Sequence, residues 1–291
     1  MPTVWEDLMD IPYEMRFTDA GGVRTRSLVA GEGIPVVMLH GLSGHLETFV
    51  PSVAAHAQHF EVHAVDMLGH GYTAKPDDGP FTVKRLAAHV IAYLDAVGIE
   101  QAHLVGLSIG GFTTGYLLSE YPERFLRGTM ICSVGNPNMD IAVLGPMIQQ
   151  STKVAVMSDD REETRARLRQ VVTDQSAMTE ELVDIRYRIY HEPAFREAID
   201  RLLGNSEPEF YMRDALTPER LGRIQAEVLL LWADDDPGPP GTYFREAIPR
   251  SKLVEWSTTG HWPPFERPAD FAALNIPYLL KGLDSVTEGH E

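Results

Sequence analysis

The sequence predicts an α/β fold in which a doubly wound, mostly parallel sheet carries an inserted helical cap. Three observations support this. Short continuous apolar runs recur in both halves of the chain, as is typical of strands that are buried on both faces. One such run passes through a glycine-flanked turn at Ser108 into a helical pattern, and residues 136–213 show helical patterns without a convincing strand. With 291 residues and 44% hydrophobic content, the chain can bury a sizeable core.

The sheet is expected to begin with a hairpin, because residues 14–18 and 23–29 flank a glycine-containing turn. Buried strands are then predicted at 34–39, 61–67, 102–106 and 126–133. Thr82 is expected to cap a helix whose apolar residues recur at helical spacing up to Gly98. In such a sheet, ligands bind at the carboxyl ends of the strands.

The pattern changes in the middle of the chain. Helices are predicted at 160–174, 179–190 and 192–203, strands return at 226–232 and 252–256, and a final helix is predicted at 268–280. A helical block inserted after a sheet strand is expected to cover the strand ends. We therefore expect a core of residues 1–135 and 214–291 and a cap of residues 136–213.

The charge of the chain limits the classes of partner. With 42 acidic and 25 basic residues, the formal charge of -17 argues against nucleic acid or an anionic membrane surface. The N-terminus lacks the pattern of a signal peptide, and no apolar run approaches the roughly 18 residues of a membrane helix. A cytoplasmic location is expected. The single cysteine, Cys132, is expected to be a small buried residue.

The motif Gly-x-Ser-x-Gly at residues 106–110 directly follows an apolar run. A nucleophile on so sharp a strand-to-helix turn adopts strained backbone angles, and side chains at the glycine positions would collide with neighbouring elements. Ser108 is therefore a candidate nucleophile. A helix N-cap is the alternative, because Ser is a favoured cap and the bare motif also occurs by chance.

A nucleophilic serine also needs hydrogen-bond donors for the oxyanion that it generates. The strand at 34–39 ends in His40-Gly41, and the small-residue loop that follows can present main-chain N–H groups. We expect the amides of Leu42 and Ile109 to bind the oxyanion. An ordinary strand-to-helix loop is the alternative.

Two later loops at strand exits supply a candidate base and a candidate acid. His261 is expected to be the general base, and Asp236 is expected to hold its other ring nitrogen. A loop histidine and a solvated acidic turn are the alternatives, and Asp234 or Asp235 could replace Asp236. His70 lies among glycines and is expected to be structural. Because neither His-Glu-x-x-His nor Cys-x-x-Cys occurs, we expect neither a metal nor a cofactor.

These residues together resemble the α/β-hydrolase fold superfamily across nearly the whole chain. The resemblance is carried by His40-Gly41, residues 106–111, residues 232–236 and Gly260-His261-Trp262. The order Ser, Asp, His along the chain matches that superfamily. In relatives the acid lies four positions after the Trp that ends its strand, which corresponds to Asp236. The resemblance implies a serine hydrolase.

Residues 174–187 and the pair His261-Trp262 resemble a narrower group, the meta-cleavage product hydrolases. Those enzymes cleave a carbon–carbon bond in vinylogous 1,5-diketones made by ring-opening dioxygenases. The resemblance implies that Arg186 binds the terminal carboxylate of the substrate and that Trp262 lines the pocket. A planar guanidinium can hold a carboxylate by two parallel hydrogen bonds. A surface arginine paired with Glu or Asp is the alternative for Arg186.

The chain departs from that group at two places. Relatives usually carry Asn before the nucleophile, where this chain has Leu107, and a Gly-Pro-Gly loop where it has Leu42-Ser43-Gly44-His45. Esterases and lactonases of the same fold tolerate both differences. Ser43 and Leu107 are expected among the substrate-binding residues.

The expected partner is a small-molecule substrate with an apolar part and a carboxylate. A carboxylesterase or lactonase acting on a small ester stays open, as does a non-catalytic binding protein that should have lost a member of the triad. A homo-oligomer also stays open. Candidate pocket-lining residues in the cap are Met139, Met147, Phe195, Phe210 and Tyr211.

Overall fold

The computed structural model describes residues 3–234, 236 and 238–290, and within these ranges nine strands form one sheet. The strands are β1 (Tyr13–Ala20), β2 (Val23–Ala30), β3 (Pro35–Leu39), β4 (Glu61–Val65), β5 (Ala102–Leu107), β6 (Phe125–Ile131), β7 (Glu227–Ala233), β8 (Ser251–Trp256) and β9 (Gly289–His290). Their spatial order is β1-β2-β4-β3-β5-β6-β7-β8-β9. The pairs β1–β2 and β2–β4 are antiparallel, and the other neighbouring pairs are parallel. The carboxyl ends of β3 and β5 to β8 therefore meet at one edge.

Helices cover both faces of the sheet. They are α1 (Val50–Ala57), α2 (Val83–Ala96), α3 (Ile109–Glu120), α4 (Ile141–Met157), α5 (Arg161–Arg169), α6 (Glu180–Tyr190), α7 (Pro193–Leu203), α8 (Pro208–Asp214), α9 (Pro218–Leu221), α10 (Thr242–Ala247), α11 (Pro263–Glu266) and α12 (Pro268–Lys281). None of the helices in the described ranges is both long and apolar enough to cross a membrane.

The side chains of β3 show why its sequence is a continuous apolar run. Val37 and Leu39 belong to the apolar cluster that includes residues of α2 and α3. Val36 and Met38 belong to a second cluster, which includes residues of α1 and α12. Successive side chains of a strand point to opposite faces, so both faces of β3 are buried. The predicted doubly wound α/β fold is confirmed.

Helices α4 to α8 lie between β6 and β7 and form what we call the helical insert. The predicted helices at 179–190 and 192–203 correspond to α6 and α7. Helix α4 is not among the sequence predictions, and α5 ends five residues earlier than the predicted range 160–174. Thr82 precedes α2 as expected, but its side chain makes no capping hydrogen bond.

One carboxylate binds the main chain of the segment after α5. The main-chain N–H groups of Thr173 and Asp174 donate to Glu266 Oε2 at 2.9 and 2.8 Å. The N–H of Gly260, in the loop after β8, donates to Oε1 of the same carboxylate at 3.0 Å. Glu266 therefore joins the helical insert to the loop that follows β8.

A buried ion cluster holds the loop between β3 and α1. Arg26 Nε donates to Asp66 Oδ2 at 2.6 Å, and Arg26 Nη1 and Nη2 donate to the two carboxylate oxygens of Glu47 at 3.0 and 2.8 Å. The N–H of Leu46 donates to Asp66 Oδ1 at 2.7 Å. Burial opposes ionisation of Glu47, but His45 and Arg26 hold its pKa well below its ordinary value. The cluster therefore fixes this loop against β2 and the end of β4.

We expect Arg26→Met to lower the free energy of unfolding by about 3–5 kcal/mol, because two buried carboxylates lose their common partner. The control is Arg16→Met on the neighbouring strand, which breaks a 2.7 Å pair with Glu14 in which the arginine side chain is 39% exposed. That change should cost less than about 1 kcal/mol. Urea unfolding, followed by circular dichroism, measures the free energy of unfolding of both variants. Equal losses of stability in the two variants would contradict the structural role of the buried ion cluster.

Candidate active site

A cavity of about 400 Å³ lies at the carboxyl edge of the parallel strands. The sheet loops and the β5–α3 turn contribute Gly41, Leu42, Ser43, Ser108, Ile109, Phe112, Asp236, Gly238, His261 and Trp262. The helical insert contributes mostly apolar side chains together with two arginines, among them Met139, Ile141, Leu144, Met147, Ile148, Arg167, Leu168, Arg186 and Tyr211. An apolar cavity with a few convergent polar groups is the usual form of a small-molecule site.

Ser108 occupies the turn between β5 and α3 with a φ of 57°, a conformation that L-residues rarely adopt. A Cβ at Gly106 would lie 2.2 Å from the carbonyl oxygen of Gly110, and a Cβ at Gly110 would lie 2.1 Å from that of Leu39. Both glycines are therefore required by close backbone approach. The Ser108 side chain makes no capping hydrogen bond, which removes the N-cap alternative.

His261 and Asp236 form a hydrogen-bonded pair at the wall of the cavity. His261 Nδ1 donates to Asp236 Oδ1 at 2.9 Å. Burial raises the pKa of Asp236, the interaction with His261 lowers it, and the net pKa lies below the ordinary value. Because an ionised carboxylate only accepts hydrogen bonds, the proton of the neutral imidazole resides on Nδ1. Nε2 of His261 is thus the ring nitrogen able to accept a proton.

The alternative acidic and basic residues lie in other settings. Asp234 is exposed, and its main-chain N–H donates to the carbonyl oxygen of Trp256 at 3.0 Å. Asp235 lies outside the described residues. His70 is fully buried with Nδ1 hydrogen-bonded to the carbonyl oxygen of Leu68 at 2.9 Å, and it does not line the cavity.

The loop after β3 lies directly against the Ser108 turn. A Cβ at Gly41 would lie 3.4 Å from Ser108 Cβ. The side chain of His40 links this loop to Met67. Its Nε2 accepts from the N–H of Met67 at 3.1 Å, and its Nδ1 donates to the carbonyl oxygen of Gly41 at 2.8 Å. Burial lowers the pKa of His40 to about 3, so the ring is neutral and this tautomer is retained.

Leu42 and Ile109 both line the cavity, as does Ser108. In the described part of the chain, no hydrogen bond uses the main-chain N–H of either residue. Ile109 is the first residue of α3, where the N–H groups have no intrahelical acceptor and the helix dipole favours negative charge. The structure therefore brings both predicted amides to one wall with their hydrogen-bonding capacity unused.

Arg186 is 3% exposed and lines the cavity. Its Nη1 donates to the carbonyl oxygen of Ser43 at 2.8 Å and to Tyr190 Oη at 3.2 Å. Its Nε and Nη2 are buried and have no hydrogen-bond partner. The guanidinium lies 5.2 Å from the ring centre of Trp262. Within the described ranges no carboxylate forms an ion pair with Arg186, which removes the paired-surface alternative for this residue.

The remaining predicted residues divide into two groups. Ser43 and Trp262 line the cavity, as do Met139, Met147 and Tyr211. Leu107 is not brought to the cavity, because it ends β5 with its side chain fully enclosed in the sheet core. Phe195 and Phe210 also lie elsewhere: Phe195 is packed in the apolar core, and Phe210 lines a separate surface pocket.

Sequence reasoning missed two contributions to the cavity. Helix α4 supplies several wall residues, but its apolar residues occupy more than one face and Pro146 interrupts the pattern, so no clear period marks it. Arg167 also lines the cavity, although α5 otherwise reads as a charged surface helix. Nothing in the local pattern distinguishes Arg167 from its exposed neighbours.

Cys132 lies beside the His261–Asp236 pair. Its sulfur, a carboxylate oxygen of Asp236 and a ring nitrogen of His261 lie within 4.8 Å of one another. A cation would need the ionised thiolate as a ligand. Burial and the neighbouring Asp236 raise the pKa of the Cys132 thiol well above its ordinary value. This donor set fits a hydrogen-bonded acid–base pair next to a neutral thiol better than a metal site.

Comparisons with known proteins show the family of the chain. Residues 36–274 match the model of the alpha/beta hydrolase family. The chain is 30% identical over 268 residues to a 2-hydroxymuconate semialdehyde hydrolase from Pseudomonas putida, covering 90% of this chain and 92% of the relative. It is 32% identical over 267 residues to a 2-hydroxy-6-oxo-6-phenylhexa-2,4-dienoate hydrolase from Comamonas testosteroni, covering 86% and 89%.

A solved structure shows the same likeness. A mutant meta-cleavage product hydrolase from Pseudomonas fluorescens IP01, complexed with acetates, superposes with a TM-score of 0.81 at 26% identity, covering 93% of this chain and 98% of that one. The fold, the cavity and these relatives agree. The chain belongs to the alpha/beta hydrolase family and resembles the meta-cleavage product hydrolases within it.

Proposed function

We propose that this protein is a serine hydrolase that cleaves a carbon–carbon bond in a 2-hydroxy-6-oxo-dienoate, a product of aromatic ring cleavage. The observation that carries the proposal is Arg186, a buried cation without an acidic partner in the described ranges, in the same apolar cavity as Ser108. An esterase for small neutral esters has no use for such a cation. The names of the relatives support the same substrate class.

The substrate is bound by complementarity of charge and polarity. Burying an unpaired guanidinium is costly, so the cavity favours a ligand whose carboxylate completes the ion pair. Arg186 Nε and Nη2 are free to make the two parallel hydrogen bonds that a carboxylate accepts. The apolar wall of the helical insert receives the rest of the substrate, with residues 136–213 acting as the cap.

The reaction begins with ketonisation of the dienol. His261 accepts the enol proton and, as the imidazolium, delivers a proton to the carbon next to the distal ketone, which leaves a saturated bond to that carbonyl carbon. Nδ1 of His261 donates to Asp236, so Nε2 takes the proton. The carbon–carbon bond can now break with its electron pair delocalised into the neighbouring carbonyl system.

Ser108 then attacks the distal carbonyl carbon, and His261 takes the hydroxyl proton. The oxyanion that forms accepts hydrogen bonds from the amides of Leu42 and Ile109. Collapse of this adduct breaks the carbon–carbon bond and leaves the acyl group on Ser108. Protonated His261 returns its proton to the departing dienolate, which is released as a 2-hydroxydienoate. Water, activated by His261, hydrolyses the acyl-enzyme and releases a second carboxylic acid.

We expect Asp236→Asn to lower kcat by on the order of 10⁴-fold, because the amide no longer holds the imidazole in the productive tautomer. The matched control is Asp234→Asn, since Asp234 is exposed and belongs to the same turn. Its kcat should be nearly unchanged. Steady-state kinetics on both variants decide which carboxylate acts, and a large loss in the control alone would assign the role to Asp234.

A yellow aryl-substituted 2-hydroxy-6-oxo-dienoate should be bleached by the purified protein, with two acids appearing in equal amounts by mass spectrometry. Ser108→Ala should slow this by about 10³-fold or more. Ser119→Ala is the control, because that buried hydroxyl lies on α3, the helix that follows Ser108, and donates to the carbonyl oxygen of Tyr116 at 2.8 Å. Hydrolysis of a p-nitrophenyl ester without bleaching would overturn the carbon–carbon assignment and retain a serine esterase.

Arg186→Gln should raise KM for the dienoate by on the order of 100-fold, because a desolvated charge pair is lost. The KM for a neutral p-nitrophenyl ester should change little. Arg188→Gln is the matched control, since Arg188 is exposed on the same helix and does not line the cavity. If both substrates lose affinity equally, Arg186 supports the fold of the site and does not recognise a carboxylate.

A further inference from the structure

Arg167 is a second arginine of the cavity wall, and the proposed reaction gives it no role. It lies on α5 of the helical insert. Its Nε is enclosed and has no hydrogen-bond partner, and its Nη1 reaches only Gln170 Oε1, at 3.5 Å. That distance is at the outer limit for a hydrogen bond. The guanidinium therefore has no strong hydrogen-bond acceptor among the described residues.

The two arginines of the cavity act on each other and on the groups around them. Burial and the neighbouring Arg186 cation lower the pKa of Arg167. Burial raises the pKa of Tyr190, but the charges of Arg186 and Arg167 bring it below its ordinary value. Like charges that share a poorly solvated site repel one another unless an anion lies between them. The free cavity is thus built with an excess of positive charge.

The excess of positive charge is confined to the cavity. The chain has 42 acidic residues, and other arginines of the same helix use them: Arg161 and Arg165 both pair with Glu180, at 2.8 and 2.6 Å. In the part of the chain that the structure describes, no carboxylate pairs with Arg167 or Arg186. The acid of the cavity, Asp236, is engaged with His261. An anionic ligand that enters the cavity would therefore meet two cations with which no described carboxylate pairs.

We propose that Arg167 and Arg186 form one anion subsite, built for a head group that carries two negative charges on adjacent oxygen centres. Two guanidiniums offer more donors and more charge than one carboxylate can use. This inference rests on the proposed function in one respect. In a 2-hydroxydienoate, the head group would be the carboxylate together with the neighbouring enol oxygen, which becomes ionised as His261 takes its proton. Arg167 then determines specificity for the dianion over a simple carboxylate.

Binding of two small anions tests the subsite without turnover. Oxalate carries two adjacent negative charges and acetate carries one, and their affinities are measured by isothermal titration calorimetry. We expect the wild-type protein to bind oxalate at least about tenfold more tightly than acetate. Arg167→Gln should remove most of this preference, and Arg167→Lys should retain part of it. Arg169→Gln, which removes an exposed charge from the same helix, should behave as the wild type does.

The thermal midpoint of the unliganded variants separates a binding role from a structural one. Removing a cation that repels its neighbour should leave the midpoint of Arg167→Gln unchanged or raised. A lowered midpoint with an unchanged oxalate preference would overturn the subsite, and so would a wild-type protein that does not prefer oxalate. Oxalate preference without dienoate cleavage would keep the subsite and reject the proposed reaction. Cleavage of the dienoate by a protein that does not prefer oxalate would reject the subsite and keep the proposed reaction.

Discussion

The close approach of the Ser108 turn to the end of β3 is the constraint on which the rest of the site depends. Gly110 packs so tightly against the carbonyl of Leu39 that no side chain fits between them, and Ser108 takes up the backbone strain of the turn. Strained residues persist where their surroundings over-determine them. Here the N–H of Ser108 is bound by the carbonyl of Ile131, and the loop after β3 closes the other side. The hydroxyl and both candidate oxyanion donors are therefore positioned by main chain.

Much of the fold could be predicted because its signals are local. A strand buried on both faces is a continuous apolar run. The glycines of the Ser108 turn are required by close backbone approach, and the motif Gly-x-Ser-x-Gly shows this requirement in the sequence. Helix α4 could not be predicted, because it faces the cavity on one side and leaves Val143 and Met157 exposed on another, so no single apolar stripe remains. The segment after α5 is bound by Glu266, which lies about ninety residues further along the chain.

The residues of the candidate site divide in the same way, into those that a local sequence signal predicts and those that depend on contacts in the folded protein. Ser108, Asp236 and His261 each follow a predicted strand, and the carboxyl ends of parallel strands converge, so their meeting at one edge could be anticipated from order alone. The position of Leu107 could not, since the outward or inward direction of one side chain depends on the register at the end of β5. Nor could the significance of Arg167, because an unpaired charge is defined by the absence of neighbours in space.

Glu266 connects two parts of the protein that have different tasks. Its two carboxylate oxygens accept from the insert and from the loop that carries His261, so the insert above the cavity and the candidate base share an anchor. The insert supplies much of the cavity wall, so a change of substrate would call for changes in it. In this protein the insert is not a free module. Any replacement must bring main-chain donors to Glu266, or the imidazole loses its support together with the old pocket.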